Sequence, residues 1–124
     1  MTLRDLSLWA LALFFVAGGI NHFRSPEFYL SMMPPWLPAH LLLVQVSGVC
    51  EVLGGIGVLV PATRVVAGWG LVALLVAVFP ANLQMALHPE AHVARGMPLW
   101  GLYLRLPLQA VFIAWVWWAA IKRP

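Results

Sequence analysis

At 124 residues the chain has room for one domain. Hydrophobic residues make up 63% of it and charged ones 9%, against roughly 25% in an average soluble domain, and a soluble fold this short leaves too much surface exposed to hide such an apolar excess. The formal net charge of +3 comes from Lys and Arg set at segment ends, with no basic stripe to track a phosphate backbone, so no nucleic acid is expected as a partner and the lipid bilayer is the solvent that fits.

A spanning helix needs roughly 20 mostly apolar residues. The first candidate covers residues 6–23. Its charged start (Arg4, Asp5) and apolar run resemble a signal peptide, but no small-residue cleavage site follows, so it reads as an uncleaved first span. Pro26, Pro34, Pro35 and Pro38 punctuate the connection that follows, and residues 27–33 read as a short interfacial segment with Phe28 and Tyr29 at headgroup level. The second span covers 40–60 and the third 64–87, joined only by Pro61-Ala62-Thr63, so these two must be antiparallel neighbours. Pro89 and Pro98 bound the third connection, and the fourth span covers 99–121. The expectation is an all-α integral membrane four-helix bundle in a single domain, 1–124.

Basic residues near the helix ends set orientation. The N-terminus, the second connection and the C-terminus share one side and carry Arg4, Arg64, Lys122 and Arg123; the other side carries Arg24 and Arg95. That balance places both termini in the cytoplasm of a multi-pass cell-membrane protein, the bacterial inner membrane being the first expectation. Trp9, Trp69, Trp115, Trp117 and Trp118 would form one aromatic belt, and Tyr29, Trp36, Trp100 and Tyr103 the other.

Ionisable groups inside a span cost about +2.5 to +3.5 kcal/mol each at a helix centre on insertion scales, so they are functional candidates. Glu51 sits mid-way along the second span and Arg105 early in the fourth; Asn21 and His22 close the first, Asn82 lies late in the third, and Gln45 and Gln109 add amides. Because spans one and three end where two and four begin, these groups gather in one half of the bundle. At about 1.5 Å per residue, Glu51 lies roughly 15 Å from that surface and Arg105 and Asn82 roughly 8–9 Å. The expected ligand-binding set is therefore Asn21, His22, Gln45, Glu51, Asn82, Arg105 and Gln109, with Glu51, Arg105 and His22 as candidates for any catalytic step. Glu51 and Arg105 can alternatively pair with each other and only fix helix register.

Ser47, Gly48, Glu51, Gly54 and Gly55 share one face of the second span, a spacing that lets backbones approach closely. Pro80 should free the carbonyl of Val76 and kink the third span just before Asn82. His22 and His88 stand at helix ends near prolines, positions more common for capping than for haem or metal, and His40 and His92 lie near connections with weaker claims still. No metal is expected. Cys50 has no partner in this chain for a disulfide or a dithiol centre, and reads as a small buried apolar residue.

Gly19-Ile-Asn-His-Phe23 with Pro26, Ser47-Gly48-x-x-Glu51-x-x-Gly54, Leu59-Val-Pro-x-Thr-Arg64 and Val78-Phe-Pro-Ala-Asn82 together resemble the DoxX-like family of small membrane proteins, over about residues 16–110. The resemblance implies a four-helix bundle and falls on Asn21, His22, Glu51 and Asn82. It also implies a redox- or stress-linked role, with quinone as a possible cofactor and a membrane redox enzyme or a second copy as partner. Family members are associated with thiosulfate:quinone oxidoreduction, with thiol stress, and with assembly of nicotinic receptors. More distant disulfide-forming relatives use paired cysteines, which this chain lacks. Three functions follow as expectations: a protein binding a quinone or lipid-like amphiphile; a non-enzymatic assembly partner presenting small-residue faces; and a small transporter acting as an oligomer.

Overall fold

The computed structural model describes residues 1–33, 35–94, 96 and 98–122. Pro34, Arg95 and Arg123 of the expectations above lie outside the described residues, as do the side chains of Phe28 and His92. The regular structure of the described residues is all helical: α1 (Leu3–Arg24), α2 (Pro26–Met32), α3 (His40–Gly57), α4 (Arg64–Ala77), α5 (Phe79–Leu87), α6 (Glu90–Ala94) and α7 (Leu99–Val116), which continues as a π-helical turn over Trp117–Ile121. Four of the helical stretches are long and apolar enough to cross a membrane: Leu3–Arg24, His40–Gly57, Arg64–Leu87 and Leu99–Ile121.

The sequence boundaries need two adjustments. α1 starts at Leu3, because Thr2 caps it: the Asp5 amide donates to Thr2 Oγ1 at 3.1 Å and the Thr2 amide donates to Asp5 Oδ2 at 3.0 Å, closing a capping box. α3 stops at Gly57, and Val58–Thr63 makes turns instead of helix. Two arginines expected only as orientation signals stop orphan carbonyls from being stranded at helix ends. Arg64 donates from Nε to Val58 O at 2.7 Å and from Nη2 to Leu59 O at 3.3 Å, and Arg4 Nε donates to Ala119 O at 2.9 Å. The last bond ties the start of α1 to the end of the chain. The N-terminus, the Pro61–Thr63 joint and the π turn thus share one end of the bundle, as the span count requires.

That end is closed. Leu8, Leu11, Phe15, Val58, Leu71, Val116, Ala119 and Ala120 form a continuous apolar core there, with Trp115 and Trp118 packed against it. These two tryptophans therefore belong partly to the core, whereas Trp9, Trp69 and Trp117 are exposed as belt residues should be. Glycine makes the close seams possible. A Cβ on Gly19 would lie 2.5 Å from Gly48 O, and one on Gly48 would lie 2.8 Å from Gly19 O, so the α1 and α3 backbones touch. Gly54 faces Leu71 on α4 instead, which divides the expected glycine face between two neighbours.

The other end is splayed. α1 packs along α3, and α5 along α7, but among the described residues neither α1 and α7 nor α3 and α5 share an extended interface in this half. The cause is local. Pro80 has no amide to donate, the helix breaks at Val78, and beyond the break α5 packs on α7. α2 lies across the gap and packs on α1, α3 and α5. Its Tyr29 leans on Met85 and Leu102, a second small apolar core.

Candidate functional site

The space between the two helix pairs, under α2, is a cavity of about 490 Å³. His22, Glu51, Asn82, Arg105 and Gln109 line it, amid Phe14, Phe15, Val44, Leu74, Leu75, Leu108 and Phe112. Five of the seven expected ligand-binding residues therefore meet at one cavity. The other two do not reach it. Gln45 is exposed on the outer side of α3, because it falls off the face that Val44, Ser47 and Glu51 turn inward. Asn21 stands behind the wall, and its Nδ2 donates to Tyr29 Oη at 2.9 Å.

Glu51 does not pair with Arg105. Its ion-pair contact is with His22 instead, Oε2 to Nε2 at 2.9 Å. The reason is the close seam: α1 and α3 run antiparallel, so His22 and Glu51 lie to either side of the Gly19–Gly48 contact, and with the two backbones touching there their side chains reach each other across it. The approach is short but lies off the ring N–H direction, leaving the enclosed Oε2 without a completed hydrogen bond. On the other side of the ring, Nδ1 is 2.9 Å from Val44 O. A carbonyl only accepts, so Nδ1 carries a proton. Nε2 faces the carboxylate, so Glu51 stands against the ring of His22 and not against Arg105.

Opposite this pair runs a chain of amides. Arg105 Nε donates to Asn82 Oδ1 at 3.3 Å, Asn82 Nδ2 donates to Gln109 Oε1 at 3.0 Å, and Gln109 Nε2 donates to Leu75 O at 2.6 Å. The helix break explains the last contact: the amide is accepted at Leu75, one residue before the Val76 carbonyl expected from the position of Pro80. Asn82 and Gln109 are buried and spend their polar atoms on this chain, so their first role is to hold Arg105 at the cavity wall.

Three contributors were missed or misplaced by sequence reasoning. Tyr29 is inside the roof, its ring 3.9 Å from that of His22, and is no part of an outer belt. Phe14 stacks on Phe112 with ring centroids 4.9 Å apart, bridging α1 and α7 below the polar groups. Tyr29 follows His22 by only seven residues across the Pro26 break, a spacing that can fold one back over the other; the phenylalanines carry no signal beyond their equal depth. His88, by contrast, ends α5 exposed and away from the cavity. Among the described residues no three His, Cys, Asp or Glu side chains are grouped to hold a metal. Cys50 is exposed.

The site can thus offer a fixed guanidinium, an imidazole beside a carboxylate, and apolar walls. The chain matches the family model described as a domain of unknown function, DUF8561, over residues 11–120, and it belongs to that family. No curated protein and no solved structure matches it.

Proposed function

We propose that this DUF8561 member is a multi-pass membrane protein, both termini cytoplasmic, that binds a small amphipathic molecule in the cavity between its helix pairs. The carrying observation is the cavity of about 490 Å³, well within the roughly 300–1,000 Å³ usual for small-molecule sites, in which a few polar groups converge among apolar walls. An oxygen-bearing head meets Arg105 and the His22–Glu51 pair, and an apolar body lies against Phe14, Leu108 and Phe112. Kinship with DoxX-like proteins, resting on the motif residues, belongs to the same proposal and suggests a quinone or a lipid-like molecule in a redox- or stress-linked role.

A role as an assembly partner has less support. The glycines that a partner helix would pack against, Gly19, Gly48, Gly54 and Gly55, already face residues of this chain. The test is thermal unfolding of the purified protein in detergent against a panel of quinones and single-chain lipids. A true ligand at a hundred times its Kd adds about 2.7 kcal/mol, which a melting curve resolves easily. A melting temperature unmoved by every member of the panel would remove the reading.

A further inference from the structure

The charge balance of the cavity narrows the ligand further, on the premise that the cavity binds an amphiphile at all. Its charged side chains are His22, Glu51 and Arg105. The first two face each other, with Glu51 Oε2 lying 2.9 Å from His22 Nε2. Arg105 is left, and among the described residues it has no carboxylate in ion-pair contact. Asn82 offers it only an amide oxygen, at 3.3 Å from Nε. A guanidinium without a counter-charge among apolar walls is costly, and a partner that brings one negative charge relieves that cost. With Nε engaged by Asn82, the fork left for a ligand is that of the two Nη nitrogens, which suits the paired oxygens of a carboxylate or a phosphate.

The walls indicate where the rest of the molecule goes. Phe14 and Leu108 line the cavity and are also 51% and 39% exposed, so the cavity wall is continuous with the outer apolar surface along the seam where α1 and α7 lack an extended interface. We propose that the site takes an amphiphile with one acidic head group, carboxylate or phosphate monoester, bound end-on by Arg105 with its apolar tail running out between α1 and α7 into the bilayer. A neutral head such as a quinone leaves the guanidinium uncompensated and ranks below it.

The test is binding to wild-type protein in maltoside micelles, followed by native mass spectrometry, with palmitate, hexadecyl phosphate, 1-hexadecanol, decylubiquinone and hexadecyltrimethylammonium as probes. Both acids are expected to bind at least tenfold tighter than hexadecanol, about 1.4 kcal/mol, and whichever acid is tighter identifies the head group. Arg105→Gln should abolish that preference while leaving hexadecanol binding in place, and Arg105→Lys should keep most of it. Should Arg105→Gln not fold, the wild-type ranking and Arg105→Lys decide the matter. Equal binding of hexadecanol or decylubiquinone, or an acid preference that survives Arg105→Gln, overturns the acidic-head inference and leaves the amphiphile reading standing. Failure of all five probes to bind removes both.

Discussion

Gly48→Ala tests whether the contact that closes the bundle also builds the site. A methyl group at that position would lie 2.8 Å from Gly19 O, 2.8 Å from His22 Cβ and 2.9 Å from Phe23 Cε2. Only the phenylalanine ring can swing away; the other two atoms are fixed to the α1 backbone. Ordinary contact begins at 3.4 Å, so α1 and α3 must part by about 0.6 Å. Overpacking of this kind typically costs about 1–3 kcal/mol. Because His22 Cβ is one of the colliding atoms, the parting also lengthens the 2.9 Å contact between His22 and Glu51. Gly70→Ala is the matched control, since a Cβ there meets nothing within 4 Å. It should stay within about 0.5 kcal/mol of wild type. Unfolding in mixed micelles of rising dodecyl sulfate content measures both variants, and the imidazole ¹⁵N resonances of His22 report the site in each. Equal stability of the two variants, with the His22 resonances unmoved in both, would refute the argument that this seam sets the register of the site.

The His22–Glu51 contact gives an asymmetric expectation. His22→Leu leaves Glu51 enclosed without its partner and should cost about 3–5 kcal/mol, whereas Glu51→Gln lets an amide N–H donate to Nε2 and should cost about 1 kcal/mol or less. Similar losses in thermal unfolding for the two variants would contradict the reading that the ring holds the enclosed carboxylate. Asn82→Leu strips an acceptor from Arg105 Nε and a donor from Gln109 Oε1, and should destabilise by about 1–3 kcal/mol for each buried group left unpaired, read in the same unfolding assay. Orientation is checked in a Cys50→Ser background, leaving Ala62→Cys or Glu90→Cys as the sole thiol. In intact cells a membrane-impermeant maleimide should label the Glu90→Cys protein and spare the Ala62→Cys protein; the reverse pattern would invert the topology.

Much of the architecture was legible because lipid demands simple things of a sequence. A span must be about 20 apolar residues long, and its ends must carry breakers and basic residues. The third and fourth spans accordingly run over the expected residues, Arg64–Leu87 and Leu99–Ile121. The depth of polar groups was also legible, since helix rise converts residue number into distance. Depth placed His22, Glu51, Asn82, Arg105 and Gln109 in the half of the bundle that holds the cavity.

Azimuth and partner choice were not legible, because they depend on how neighbouring helices are rotated about their axes. Gln45 has a suitable depth yet faces outward, and Tyr29 has the composition of a belt residue yet turns in under the roof. Glu51 was placed opposite Arg105 by charge, but the Gly19–Gly48 contact brings it to His22 first. The sequence by itself therefore determined the four long apolar helices, their breaks and the level at which polar groups gather, since each follows from solvation and from distance along one chain. Only the tertiary structure decided which groups touch, since a pairing in a splayed bundle rests on a few tenths of an ångström between backbones distant in sequence.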